Sequence, residues 1–498
     1  MSRLHHCLAF AISVLALLLT GILPVFAQEA TPASEELTPY APAEATRLYA
    51  LSPDGTMVIG AGQGDQSLCT FAVPSGETIA CADLNEHDIN LREEDIRWSP
   101  NSHEVVFAER AFVYFRDGDI WTFDAQTGEL TDLTDEGDIG KFSPIDRNDQ
   151  TKDVYFDVAP AWSPDGSQIA FSRTTFPVGS DDTPNDLMTV DVATGEVTKV
   201  ANFDPTFPGA LYFGMGWSPD GGTIYASAGY SDPGNPRSGV WAFDAGTGEG
   251  TQLAGPSDEV EGAFPALLAV SPAGDTLTVD YPAYLSQYGF GGGSEASGYG
   301  LLTLADSSVT LIERPVDLTE HGFLTAGPNY APDGKTLIYG VRSLENDSGL
   351  VLMQSIESGD VTVLATLPDD QAPLTINPGV PVQIGANGTV FIQTSLESGY
   401  LLTLPDEYLT PPQLPEATAT PAASPEAIDV DGSAVVSGVD TVMRSGPSID
   451  AQVVLVLQPG AVVEPLGDPV VAGGERWVPV RDAASGTIGY VRESDLES

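Results

Sequence analysis

A chain of 498 residues carries 19 Lys and Arg against 71 Asp and Glu, a formal net charge of −52. A surface of that sign repels nucleic acid and anionic lipid and excludes both as partners. At 42% apolar residues the chain can still bury a large core, which separates it from charged disordered sequences.

Arg3 precedes an apolar run from Leu8 to Leu23, and Val25-Phe-Ala27 offers a small residue for cleavage before Gln28. Residues 1–27 therefore read as a secretory signal peptide. A membrane anchor would need a longer uninterrupted run, and Pro24 breaks this one. Cleavage removes Arg3 and leaves 18 cations against 71 acids, or −53. That charge reads first as a means of staying soluble outside the cell, and second as attraction for cations or a basic partner. Residues 28–44, rich in Glu, Ala, Pro and Thr, read as a flexible leader. Its end, Leu37 to Tyr40, is expected to return and complete the last unit of a repeat array.

That array starts at Leu51-Ser-Pro-Asp-Gly55. Copies follow at Trp98-Ser-Pro-Asn-Ser102, Trp162-Ser-Pro-Asp-Gly166, Trp217-Ser-Pro-Asp-Gly221, Val270-Ser-Pro-Ala-Gly274, Tyr330-Ala-Pro-Asp-Gly334 and Ile384-Gly-Ala-Asn-Gly388. Their starts lie 47, 64, 55, 53, 60 and 54 residues apart, a period that belongs to propeller blades. Pro presets φ for the first turn residue, Asp tolerates the next, and Gly takes the positive-φ position, so each copy closes a tight hairpin. The aromatic before the turn is expected to point between blades. Alternating apolar residues follow it, as in Ile169/Phe171 and Leu337/Tyr339. A second turn comes 21 to 29 residues after most of these positions, as in Phe123-Asp-Ala-Gln-Thr-Gly-Glu129 and Val190-Asp-Val-Ala-Thr-Gly-Glu196. Two hairpins per repeat give four strands per repeat. Cys69 and Cys81 flank one such turn symmetrically and are expected to form a disulfide across it in an oxidising compartment.

The paired turns resemble the WD40-like repeat of bacterial TolB-type proteins and of the propellers attached to prolyl-peptidase-type enzymes. The resemblance covers residues 45–404 and implies a seven-bladed β-propeller. It does not imply an activity, because the fold carries many. TolB-type proteins add an amino-terminal α/β domain and the peptidases a hydrolase domain, and this chain is expected to hold neither.

Both tight turns of a blade lie on one side of such a disc, so the long connections share the other. Those connections carry Tyr155, Tyr212, Tyr230, Tyr284 and Tyr288. Rings on loops held by a rigid scaffold suit a ligand or a protein partner, and these five are the candidate binding residues of the propeller; packing between blades is the competing reading for each of them. Candidate catalytic residues are absent. There is no Gly-x-Ser-x-Gly elbow and no His-Glu-x-x-His, and His87, His103 and His321 are scattered. No cofactor is expected. Ser180–Asp186 and Asp146–Asp149 are acidic enough to consider for Ca²⁺ but lack the spaced Asp-x-Asp-x-Asp-Gly loop, and they read better as solvated turns.

Residues 405–432, with Pro411-Pro412, Pro415, Pro421 and Pro425, form a semi-rigid linker. Beyond it come Thr441-Val-Met-Arg-Ser-Gly-Pro-Ser448, Val453-Val-Leu-Val-Leu457, Arg476-Trp-Val-Pro-Val480 and Gly489-Tyr-Val-Arg492. These short strands resemble the bacterial SH3-like domain over residues 433–498. Met443 departs from the Asn that the family usually places before the Arg. The resemblance implies docking on cell-wall peptidoglycan or an envelope protein, with Arg444, Trp477 and Tyr490 as candidate contacts. A core position for Trp477 is the competing reading.

The fold expected is thus all-β, a propeller of four-stranded blades plus a small carboxy-terminal barrel. The function expected is a secreted, non-enzymatic binding protein of the cell envelope. The alternative is a propeller enzyme, a lyase or glycan hydrolase, with carboxylates in its central channel.

Overall fold

The repeat assembles from its turn outward. The computed structural model describes residues 36–412 and the strands of residues 434–497. Outside the description lie 64–65, 110–117, 136–150, 179–183, 203–210, 230–234, 257–262, 287–288, 291–297, 313–321, 325–327, 344–348 and 375–381. In Trp162-Ser-Pro-Asp-Gly166 the amide of Gly166 donates to the carbonyl of Ser163 (2.9 Å), and Gly166 sits at φ +73°. A side chain is strained there, which is why the position favours glycine. The Ser163 hydroxyl donates to Asp165 (2.7 Å) and accepts from the amide of Gln168 (2.9 Å), so it ties the turn to the strand that follows. The amide of Ser167 and the Ser163 hydroxyl hold the Asp165 carboxyl below its ordinary range. Ser52 and Ser218 repeat this arrangement. Ser99 does so with Asn101 as its acceptor.

The chain divides into two units, residues 1–417 and 418–498. Among the described residues the first unit holds seven antiparallel sheets, each with a four-strand path. The third sheet is typical. Val154–Trp162, Gln168–Phe176, Asn185–Asp191 and Val197–Asn202 pair in sequence order. In the last sheet Val382–Ile384, Thr389–Gln393 and Gly399–Thr403 supply three strands. Thr38–Tyr40 supplies the fourth, with Thr38 opposite Leu401 and Tyr40 opposite Gly399. Tyr40 is 1% exposed and meets Phe391 edge to face at 5.8 Å. The pairing covers the open edge of Gly399–Thr403 and ties the two ends of the propeller into one sheet.

The aromatic residues before the turns join neighbouring sheets. The indole N–H of Trp98 donates to the carbonyl of Ala50 (3.0 Å), that of Trp162 to Arg97 (3.2 Å), and that of Trp217 to Ala161 (3.0 Å). Each thus reaches the first strand of the sheet before it. Where the sequence loses the Trp, other groups bridge. The Tyr330 hydroxyl donates to Thr276 (3.1 Å), and Gln383 of the last sheet donates to the Tyr49 carbonyl (3.0 Å) and accepts from the Leu51 amide of the first. Trp162→Phe keeps an aromatic ring, though a smaller one, and deletes the donor. It is expected to lower the unfolding free energy by roughly 1–2 kcal/mol with an unchanged urea m-value. An unaltered urea midpoint would show that the indole N–H adds nothing between these sheets.

Cys69 and Cys81 stand opposite each other in the first sheet and are joined as a disulfide, Cα to Cα 4.1 Å. The chain leaving the last sheet runs through a 3-10 turn, Asp406–Tyr408. The Tyr408 carbonyl accepts from the amide of Asp333 in the turn of the sixth sheet (3.0 Å).

In the second unit, Thr441–Arg444 lies between Val453–Leu457 and Ile488–Arg492, and Glu475–Asp482 follows on the far side of Ile488–Arg492. Met443, Leu457, Val463, Val478, Val480 and Val491 form its core. Met443, the residue that departs from the family pattern, is fully buried there.

Candidate ligand-binding sites

Polar side chains cluster where the first strands of the first three sheets begin, at the end away from the Ser-Pro-Asp-Gly turns. Arg173 donates to both carboxylate oxygens of Asp157, from Nε at 2.8 Å and from Nη2 at 2.6 Å. Its guanidinium lies over the ring of Tyr155 at 4.6 Å and near that of Phe171 at 5.5 Å. Asp157 is fully buried. Burial pushes its carboxyl up, against the pull of Arg173 and of the Thr134 hydroxyl. With both oxygens held by one guanidinium, Asp157 is built for position rather than for proton transfer.

The neighbouring sheet locks on from two directions. Asp95 accepts from the amide of Ala159 (3.1 Å) at an irregularity between Val158 and Ala161, where Ala159 has φ +56°, and it pairs with Arg92 (3.0 Å). Gly118, just before the strand Ile120–Asp124, donates to the Tyr155 carbonyl (3.1 Å) and accepts from the Asp157 amide (2.9 Å). It thereby occupies the edge of Val154–Trp162 that the partner strand leaves open. Nearby, Arg47 pairs with Glu93 at 2.6 Å, and the Tyr49 hydroxyl donates to Glu93 (3.3 Å). Arg47 and Glu93 are each 31% exposed, so this triad presents donors and an acceptor to solvent. Burial, with Glu93 alongside, pushes the Tyr49 hydroxyl well up, which keeps it a donor.

Three of the five expected rings lie on strands, which corrects their assignment to loops. Tyr155 is in Val154–Trp162, Tyr212 in Leu211–Trp217 and Tyr284 in Thr276–Ser286. These strands extend past the core, because their outer ends still find cross-strand partners, Thr175, Ala228 and Ala263 respectively. Tyr155 is half-buried beneath Arg173. Tyr230 and Tyr288 lie outside the described residues. Of the acidic segments considered for Ca²⁺, Asp146–Asp149 also lies outside. Asp186, at the end of the other, pairs with Lys199 (2.8 Å). His87 stacks edge to face on Trp121 at 5.7 Å, a packing role.

Asp280, on the second strand of the fifth sheet, stands between Ala266 and Tyr299 in register. It takes no hydrogen bond from the described residues, and burial pushes its carboxyl up to about 6. The unfolded value is about 3.9, so the fold favours the protonated form. That contribution is complete below about pH 4 and is lost as pH rises through 6. Asp280→Asn is therefore expected to stabilise the protein by roughly 1–2 kcal/mol at pH 7, with the gain vanishing below about pH 4. Urea unfolding at the two pH values checks it. An equal effect at both would rule out titration of Asp280.

In the second unit Arg444 and Tyr490 are half-buried and paired in register on adjacent strands. Trp477 is 1% exposed, as the core reading of that residue has it and the groove reading does not. The guanidinium of Arg492 lies 5.5 Å from the centre of its ring. Arg492 escaped the sequence reading, although Gly489-Tyr-Val-Arg492 puts it two residues from Tyr490 and so on the same side of a strand.

Residues 437–497 match the family model of the bacterial SH3 domain. No curated protein matches the chain. Among solved structures, an oligogalacturonate lyase from Vibrio parahaemolyticus is 11% identical, with 75% of this chain and 92% of that one covered and a TM-score of 0.47. The β-propeller domain of Myceliophteria thermophila Cps50 (Swd1) is 10% identical, over 74% and 100%, with a TM-score of 0.43. A putative TolB from Agrobacterium tumefaciens is 14% identical, over 73% and 91%, with a TM-score of 0.29. These likenesses concern the fold alone. The chain is an all-β protein in which a β-propeller precedes a bacterial SH3 domain. Among the described residues no helix is long and apolar enough to cross a membrane.

Proposed function

We propose that this is a secreted, non-enzymatic binding protein. Its SH3 domain docks on the cell envelope, at peptidoglycan or a partner there, and the loop end of the propeller engages a second ligand or protein. The observation that carries this reading is the bacterial SH3 match over 437–497, carried on the same chain as the propeller beyond a Pro-rich stretch. Two modest sites on one tether bind together more tightly than either alone. The half-exposed Arg47–Glu93–Tyr49 triad and the half-buried Tyr155 ring supply polar and aromatic groups at the beginnings of the first strands.

A second reading, a propeller enzyme using a carboxylate, is favoured by Asp280, whose raised pKa suits proton transfer near neutrality. Asp157 gives that reading no support, because Arg173 occupies both of its oxygens.

Co-sedimentation with purified cell-wall sacculi tests the first reading. The chain from Gln28 is expected to pellet, and the same chain ending at Asp431 is expected to stay in solution. Absence of pelleting by either form would overturn wall docking.

A further inference from the structure

The seventh copy of the turn motif, Ile384-Gly-Ala-Asn-Gly388, holds the single Asn–Gly pair of the chain. Four other copies place an acid before the glycine, at Asp54, Asp165, Asp220 and Asp333. The difference is chemical. Hydrogen bonds from the Ser167 amide and from the Ser218 hydroxyl hold the carboxyls of Asp165 and Asp220 below their ordinary range. Both are therefore ionised near neutrality, and a carboxylate resists a nucleophile. A neutral side-chain amide has no such protection. A glycine after it puts no Cβ in the way of attack by the main-chain nitrogen.

The fold guards this pair from several sides. The Gly388 amide donates to the Gly385 carbonyl (2.9 Å), and the Gly388 carbonyl accepts from the Leu404 amide (2.7 Å). The Asn387 side-chain carbonyl accepts from the Thr389 amide (2.8 Å). Gly388 is buried, and Leu409 lies so close that a Cβ on Gly388 would stand 3.0 Å from its Cδ2. Asn387 itself is exposed, so water reaches its side chain. It stands at the seam between the last and first sheets. There the Ala386 amide donates to the Pro53 carbonyl (2.6 Å), and a Cβ on Gly55 would strike the Asn387 carboxamide. Cyclisation needs the main chain at Asn387 to rotate and the Gly388 N–H to give up its proton. Both break the hydrogen bonds of the turn, so reaction waits for local opening.

We infer that Asn387 is a deamidation site gated by the seam between the last and first sheets of the propeller. In the open form the Gly388 nitrogen bonds to Cγ of Asn387 and the Cγ–Nδ2 bond breaks. Nδ2 leaves as ammonia with the Gly388 amide proton. Water then opens the cyclic imide. Addition at Cγ breaks its bond to nitrogen and leaves Asp, the residue of four other copies. Addition at the main-chain carbonyl breaks the other bond to nitrogen and leaves iso-aspartate, whose extra main-chain carbon does not fit the turn. A propeller that opens here is thus marked covalently, and the iso-aspartyl form is kept from sealing again.

The chain from Gln28 is held at neutral pH, folded or in urea, and the peptide containing Asn387 is followed by mass and by iso-aspartate content. Modification is expected to be about tenfold or more slower in the folded chain than in urea. In the folded chain Tyr40→Ala, which loosens the closing strand, is expected to speed it about tenfold or more, and Leu409→Ala, which uncovers Gly388, several-fold. Arg173→Ala weakens the third sheet instead and is expected to leave the rate within about twofold of the parent. Equal rates in the folded chain and in urea, or no modification in either, overturn the site. No acceleration by the seam variants, or equal acceleration by Arg173→Ala, overturns the seam as the gate. Should Tyr40→Ala fail to fold, Leu409→Ala against Arg173→Ala decides the same question.

Discussion

Replacing Arg173 with Ala is expected to lower the unfolding free energy by roughly 3–5 kcal/mol, because it leaves the Asp157 carboxyl buried without its ion-pair partner. Asp157 is fully buried, so solvation does little to relieve the cost. Asp157→Ala strands the guanidinium instead and is expected to cost a similar amount, lessened by the rings of Tyr155 and Phe171 that still face Arg173. The decisive comparison is the double replacement Asp157→Leu/Arg173→Met. An apolar pair of similar volume is expected to recover most of the loss, as buried ion pairs often tolerate such exchange. Urea denaturation followed by tryptophan fluorescence measures all three. A loss below about 1 kcal/mol for Arg173→Ala would show that water reaches the pair, and the account of this cluster as an internal lock would fail.

Tyr40→Ala is expected to cost a comparable ~3–5 kcal/mol, the range for truncating a buried aromatic. Tyr40 sits in the strand that completes the last sheet, and it bridges to the first sheet by donating from its hydroxyl to the Ala72 carbonyl (3.2 Å). Tyr40→Phe removes the hydroxyl alone and is expected to cost about 1 kcal/mol. The difference between the two variants separates packing from hydrogen bonding. If the alanine variant unfolded at the same urea concentration as the parent, the amino-terminal strand would not seal the ring.

Turn chemistry made most of this architecture legible. Ser-Pro-Asp-Gly specifies its own geometry within five residues, so each copy marks one hairpin without knowledge of the rest. The cysteine pair was legible for the same reason, since Cys69 and Cys81 are symmetric about a single turn. The Ser hydroxyl that links turn to strand could also have been found, because Ser recurs before Pro in five copies. What stayed hidden depends on contacts between sheets. Nothing local distinguishes Arg173 from a surface arginine, and its partner Asp157 is one of 71 acids. The scarcity of cations was the available signal, since a positive charge late in an apolar strand needs a partner. Tyr155, Tyr212 and Tyr284 were misplaced into loops because polar residues surround the ends of strands that outrun the core. Trp477 has the alternation of a strand residue, and alternation does not say what covers the outer face.

The pairing of Thr38 with Leu401 also sets the order in which the protein is completed. Of the described strands Thr38–Tyr40 is the first to leave the ribosome, and Gly399–Thr403 is the last of the propeller. Each earlier sheet pairs strands that follow one another along the chain and closes short loops. This one closes a loop of over 350 residues, at the greatest entropic cost of any sheet. It is therefore the final step of assembly, and until it occurs Gly399–Thr403 offers an unpaired edge to neighbouring molecules. During synthesis this order delays closure, because the ring cannot seal before its last strand has arrived.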